Sequence, residues 1–151
     1  GEFFTALEFG WTDQDLFGLA YLFNNLHVSA WHSDKTGKGV TLTGSYLVPE
    51  NRLGVFGRLG WASEDASTIY ENYAAAGVTR GIYKDSMIGI GVSWGQAHGS
   101  NVDQVATEIF YRWQMAQHTA LTPGIQFLSD PALNEDDDLV TVFSFRLRIA
   151  I

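Results

Sequence analysis

Residues 139–151 read LVTVFSFRLRIAI, a stretch in which apolar and polar residues alternate to the final residue. One parity holds Phe143, Phe145, Leu147, Ile149 and Ile151, and the other holds Ser144, Arg146, Arg148 and Ala150. A period of two places successive side chains on opposite faces of a β-strand. The apolar face would meet a core in a soluble sandwich, and lipid in a transmembrane barrel. Alternation alone does not separate these architectures.

Eight further segments upstream show strand character and are separated by turn residues. They are Glu2 to Gly10, Leu26 to Ser33, Gly39 to Leu47, Leu53 to Ala62, Tyr70 to Tyr83, Met87 to Gly95, Val105 to Gln117 and Leu121 to Ser129. The short connectors favour an antiparallel meander. The sequence thus predicts an all-β chain of about nine strands. Leu16 to Phe23 is apolar without clean alternation, and could extend the second strand or form a short helix or loop.

Two features favour a membrane barrel. In Met87 to Gly95, bulky residues alternate with Gly89, Gly91, Ser93 and Gly95. Such a bare face is rare where it meets water in a soluble protein, whereas a lumen can need room for solute or an inward-folded loop. Aromatic residues also cluster near strand ends, as in the interfacial girdles of barrels. They are Trp11, Trp61, Tyr70, Tyr83, Trp94 and Trp113.

Composition excludes several classes of function. No apolar run of about 18 residues is present, so any membrane crossing would use strands. A formal net charge of -8 argues against a nucleic-acid partner, because phosphate binding requires a basic face. The chain has no cysteine, which excludes disulfides, thiolate metal sites and cysteine nucleophiles.

The residue types that carry catalysis or bind metals lack the required spacing. The four histidines, at 27, 32, 98 and 118, show no metal-ligand spacing. The run Asp136 to Asp138 lacks the glycine-punctuated pattern of a calcium loop, and no Gly-x-Ser-x-Gly elbow is present. We therefore predict no catalytic residue, no metal site and no cofactor.

A set of motifs carries a family resemblance. They are Ser29 to Asp34, Leu53 to Ala62, Glu108 to Gln114, Leu121 to Phe127, Asp130 to Ala132 and Val142 to Arg148. In this order they resemble the carbohydrate-selective, OprB-like porins, from about residue 24 to the end. The resemblance implies an antiparallel barrel of about sixteen strands in the bacterial outer membrane. It also implies passive diffusion of mono- or oligosaccharides, with outer-membrane lipid around the wall and a homo-oligomer as a possible assembly.

The chain departs from that family pattern in two ways. It ends in Ile151, where such chains usually end in an aromatic residue. About sixteen strands at roughly 25 residues each would need about 400 residues, and bacterial single-chain barrels close with an even number of strands. We therefore expect residues 1–151 to form the C-terminal portion of a single barrel domain. Two alternatives remain open: a complete eight-stranded outer-membrane barrel with a structural or enzymatic role, and a soluble sandwich or binding module.

Strand parity predicts which side chains would line a lumen and contact sugar. They are Glu8, His27, Trp31, Arg58, Glu108, Arg112, Gln114, Gln126, Arg146 and Arg148. Interleaved Arg and Glu would hold a transverse field and offer donors and acceptors to sugar hydroxyls. Alternatively, these residues pair across the wall and only hold its shape. Trp31 could stack on a sugar ring or be an interfacial aromatic.

Overall fold

Nine β-strands make up the computed structural model, which describes residues 3–13, 23–48, 50–63, 66, 68–83, 85–99, 102–134 and 136–149. The strands are β1 Phe4–Asp13, β2 Phe23–Ser33, β3 Gly37–Val48, β4 Leu53–Ala62, β5 Tyr70–Gly81, β6 Met87–Ala97, β7 Asp103–Ala116, β8 Thr119–Ser129 and β9 Leu139–Ile149. Each strand pairs antiparallel with the next, in one sheet whose order follows the chain. No helix in the described part of the chain could span a membrane.

All nine predicted strands are confirmed, but only β4 has the predicted bounds at both ends. Backbone pairing continues past the alternating apolar pattern, for example through Thr12 and Asp13 of β1. Strand ends are therefore set by the ladder of backbone hydrogen bonds rather than by side-chain polarity. Phe23 begins β2, whereas residues 14–22, like Glu2, Ala150 and Ile151, lie outside the described residues.

The register gives the sheet two faces of opposite character, because directly opposed residues project to the same side. The apolar face carries, across successive strands, Phe9, Val28, Leu42, Leu59, Ala74, Trp94 and Val105. The polar face carries Glu8, Ser29, Thr41, Gly60 and Tyr73 on the neighbouring row. The alternation predicted for single strands therefore extends across the whole sheet.

The described residues form a single layer without a hydrophobic core. Apart from glycines and Pro131, their buried apolar residues are all alanines: Ala62, Ala66, Ala97, Ala106 and Ala120. Large apolar side chains stay open, with Leu59 57% exposed and Phe143 75% exposed. A soluble sandwich needs a second packed layer over its apolar face. The part of the chain that the structure describes contains no such layer.

On the polar face, aromatic rings lie over glycines of neighbouring strands. The ring of Phe110 covers Gly89, and that of Phe56 covers Gly77. A Cβ at Gly95 would lie 2.5 Å from Cδ1 of Tyr70, and one at Gly39 would lie 2.7 Å from Nε1 of Trp31. Such coverage replaces the side chain that glycine lacks and pins the register. The glycine face of β6, predicted to leave room for solute, is therefore occupied by rings at two of its three glycines.

Substituting Gly89 tests this packing. We expect Gly89→Ala to lower the free energy of unfolding by about 1–3 kcal/mol, because the new methyl group displaces the Phe110 ring. The matched control is Gly91→Ala on the same strand and face, where a Cβ would lie 3.5 Å from Cζ of Phe56, an ordinary contact. Urea titration of the protein folded in lipid vesicles measures both variants. Equal midpoints for the two variants would contradict the packing.

Candidate pore-lining face

All ten residues predicted to line a lumen lie on the polar face. Glu8 is opposite Ser29, Arg58 is opposite Thr43 and Ala75, and Glu108 is opposite Gln126. The same register places the side chains of Arg146 and Arg148 on this face. The strands do not bring the ten residues to one point, because the sheet spreads them from β1 to β9.

Three of these residues form a group on β1 and β2. Nδ1 of His27 lies 3.2 Å from Oε1 of Glu8, and the imidazole ring covers Gly10. Trp31 faces the same side, with its indole over Gly39. Trp31 therefore does not belong to an outward-facing girdle, and its half-buried ring packs against the wall.

Arg58 occupies the middle of β4 and of the polar face. Its Nε donates a hydrogen bond to Oγ1 of Thr43 at 3.1 Å. Within the described residues it makes no ion pair, and a guanidinium group has five N–H donors. Its terminal nitrogens are therefore free to donate to a solute.

The remaining predicted residues lie on β7, β8 and β9. Nη2 of Arg112 donates to Oε1 of Gln114 at 3.0 Å. Arg146 is opposite Thr122, and Arg148 is opposite Ala120. These arginines lie towards one end of the sheet, where residues 117–118 join β7 to β8. We call this the β7–β8 end, and the opposite one the β8–β9 end.

Side-chain pairing across the wall accounts for Glu8 but not for the arginines. Glu8 pairs with His27, whereas within the described residues Arg58 and Arg112 donate to a neutral hydroxyl and a neutral amide. The polar face therefore offers cationic donors that are not neutralised by carboxylates. Parity could also have identified Phe56 and Phe110 as residues of this face, since they lie two positions from Arg58 and Arg112.

The apolar face carries two aromatic belts that shift in step along the sheet. One belt contains Trp61 of β4, Trp94 of β6 and Phe127 of β8; the other contains Trp11 of β1, Tyr46 of β3 and Trp113 of β7. Trp61 is opposite Asn72, which is opposite Gln96, two residues beyond Trp94. Trp94 is likewise opposite Val105 and then Ser129, two residues beyond Phe127. This belt therefore moves by two residues for every two strands.

The shift of the belts fits strands that tilt through a membrane. One residue per strand is about 3.3 Å along the chain for about 4.8 Å across the sheet, which corresponds to a tilt of about 35°. Strands of transmembrane barrels tilt by about 35–45°. When the strands are tilted in this way, each belt becomes level and the residues between the belts form an aliphatic band.

Arg80 projects from the apolar face but lies at the level of a belt. It is opposite Ile88, which is opposite Tyr111, two residues before Trp113 of the belt. A cation at the membrane interface costs only about 0–1 kcal/mol, against about 2–4 kcal/mol at the midplane. The charge is therefore placed where the apolar face tolerates it.

The comparisons with known proteins agree with this geometry. The model of the carbohydrate-selective porin family, OprB, matches residues 12–151. The chain belongs to this family. No curated protein and no solved structure matches it. Membership in the OprB porins confirms the resemblance seen in the sequence, and the nine-stranded antiparallel sheet confirms the predicted all-β fold. The OprB porins are an outer-membrane channel family, so at the family level the chain is a carbohydrate-selective porin.

A charge placed between the belts tests the assignment of the faces. We expect Ile90→Arg to destabilise the folded porin by about 2–4 kcal/mol, because its neighbours Val78 and Ile109 belong to the aliphatic band. Ser93→Arg, three residues along the same strand and on the polar face, is the matched control and should have little effect. Denaturant titration in vesicles gives both values. A larger loss for Ser93→Arg would reverse the faces.

Proposed function

We propose that this chain forms part of the wall of a water-filled β-barrel that lets mono- or oligosaccharides diffuse passively across the bacterial outer membrane. The observation that carries the proposal is the segregation of the two faces over nine strands, with level aromatic belts on one face and all ten predicted polar-face residues on the other. Lipid would cover the apolar face, over which the described residues place no second layer. The polar face would line the lumen.

The polar face supports contact with sugars through unpaired donors and nearby acceptors. Arg58 has free guanidinium donors at mid-strand, while Glu108 and its neighbour Gln126 offer acceptors on β7 and β8. Sugar hydroxyls both donate and accept, so a wall of this kind can replace part of their hydration. Passive flux requires binding that is weak and spread over several positions. The dispersion of these residues over separate strands meets that requirement.

The outer edges of β1 and β9 support a barrel larger than nine strands. In the described sheet neither strand pairs on its outer side. Unpaired backbone groups in lipid cost several kcal/mol each, so membrane sheets close into barrels. We propose that residues 1–151 are the C-terminal portion of one barrel domain, completed by further strands. The β7–β8 end would face the periplasm, since periplasmic turns of such barrels are short.

Conductance in planar bilayers tests the function. The complete protein should form ion-conducting channels whose current falls when sugar is added, because bound sugar occupies the lumen. Arg58→Gln should shift the ion selectivity towards cations, since it removes a positive charge from the lumen wall. Arg80→Gln, an arginine on the apolar face, is the control and should leave selectivity unchanged. Absence of channels, or currents that sugars never reduce, would refute the porin proposal.

The mass of the mature protein tests the larger barrel. The chain of 151 residues has a mass of 16.7 kDa. We expect protein purified from outer membranes to be severalfold heavier by intact mass spectrometry, because further strands must pair with β1 and β9. A membrane species near 16.7 kDa would instead favour a small barrel closed by this chain alone.

A further inference from the structure

A depression opens on the polar face close to the β7–β8 end. Its volume is about 350 Å³, and its polar lining comes from Arg52, Thr79, Asp85, Ser86 and Arg112. Small-molecule sites typically span about 300–1,000 Å³, so the depression suits one monosaccharide rather than a longer chain. Of its arginines, Arg52 lies in the connector between β3 and β4, where strand parity makes no prediction.

Arg52 forms one wall by reaching from its own connector to the next hairpin. Its Nη1 donates to the carbonyl oxygen of Ile82 at 2.7 Å, and its Nη2 lies 3.4 Å from Oδ1 of Asp85. The side chain crosses Gly81, where a Cβ would lie 2.7 Å from Nε of Arg52. Both Arg52 and Asp85 have positive φ, at 50° and 63°. Such conformations cost about 1–3 kcal/mol and persist only where the surroundings impose them.

Arg112 forms the opposite wall and is positioned through a chain of hydrogen bonds. It donates to Oε1 of Gln114, whose backbone N–H donates to Oγ of Ser86 at 3.1 Å. Ser86 is only 4% exposed, so it anchors this chain firmly. Within the described residues the side chain of Arg112 donates one hydrogen bond, to Gln114, and a guanidinium group has five N–H donors. A planar pair of N–H groups therefore remains to bind a ligand.

The charge of the lining favours an anion. Arg52 and Arg112 contribute two positive charges and Asp85 one negative charge, so the described lining carries a net charge of +1. Arg146 and Arg148 add positive charge near the same end of the polar face. The chain as a whole has a formal net charge of -8, so the net charge of this lining is opposite in sign to that of the chain. A neutral sugar would gain only hydrogen bonds here, whereas a monoanionic sugar would also gain charge pairing.

We propose that this depression is a binding subsite for carboxylated monosaccharides, that is, uronic or aldonic acids. The proposal rests on the porin function proposed above and adds a substrate class to it. The carboxylate would accept a bidentate pair of hydrogen bonds from Arg112, the geometry that guanidinium and carboxylate groups share. Hydroxyls of the sugar would donate to Asp85 and accept from Arg52 and Thr79. An acidic sugar is thereby retained at the β7–β8 end longer than its neutral counterpart.

Two sugars that differ only in the carboxylate test the subsite. The complete porin in planar bilayers is titrated with galacturonate and with galactose, and the concentration that halves the ion current is measured for each. Wild-type channels should be blocked by galacturonate at lower concentration than by galactose. Arg112→Gln should raise the half-blocking concentration of galacturonate about tenfold and leave that of galactose within about twofold, since a hydrogen bond to a charged group is lost. Arg80→Gln is the control and should change neither value.

A second variant acts in the opposite direction. Asp85→Asn removes the negative charge of the lining, and asparagine tolerates positive φ. We expect it to lower the half-blocking concentration of galacturonate several-fold relative to that of galactose, because the negative charge that repels the carboxylate is removed. If Arg112→Gln fails to insert into the bilayer, Asp85→Asn alone tests the subsite. Equal block by the two sugars in wild type, or no change for galacturonate in Asp85→Asn, would overturn the subsite. Absence of block by either sugar would instead overturn the porin function itself.

Discussion

The register of the antiparallel pairs is the constraint on which every other feature of this sheet depends. Side chains alternate with a period of two, so a slip of one residue would send a whole strand's apolar set to the opposite face. Arg58, between Thr43 and Ala75, would then enter the aliphatic band. The two irregularities in the ladder lie between Tyr70 and Asn72 and between Gln114 and Ala116, close to strand ends. The centre of the sheet therefore keeps its faces separate.

The described residues form no second layer, so the cohesion of this part of the chain must come from contacts within the sheet. Backbone ladders supply most of it, and cross-strand side-chain pairs supply the rest. The rings over glycines belong to this second group, because each ring bridges two strands on the side that faces away from the aliphatic band. Phe56 touches both Gly77 and Gly91 and so connects β4 with β5 and β6. The polar face thus contributes packing as well as charge.

Sequence reasoning succeeded where a single strand contains the information. Period two gives the existence of strands and the side on which each residue lies, so residues such as Arg58 and Glu108 could be placed correctly. It failed where the information lies between strands. The cover over Gly89 depends on a neighbour 21 positions along the chain, Phe110, and the position of Arg80 at a belt depends on the register that brings it level with Trp113. Arg52 lies in a connector, where no periodicity exists to predict its direction.

The shift of the aromatic belts along the strands also limits the number of strands with which such a sheet can close into a barrel. A belt that shifts by about one residue per strand returns, after a full circuit, displaced by about as many residues as there are strands. An even displacement brings lipid-facing residues back beside lipid-facing residues, whereas an odd one would join the two faces edge to edge. A barrel closed by nine strands, with the shift of one residue per strand seen from Trp61 to Trp94, would have an odd displacement. If further strands complete the wall beyond β1 and β9, as proposed above, they would have to make both the strand number and the offset even.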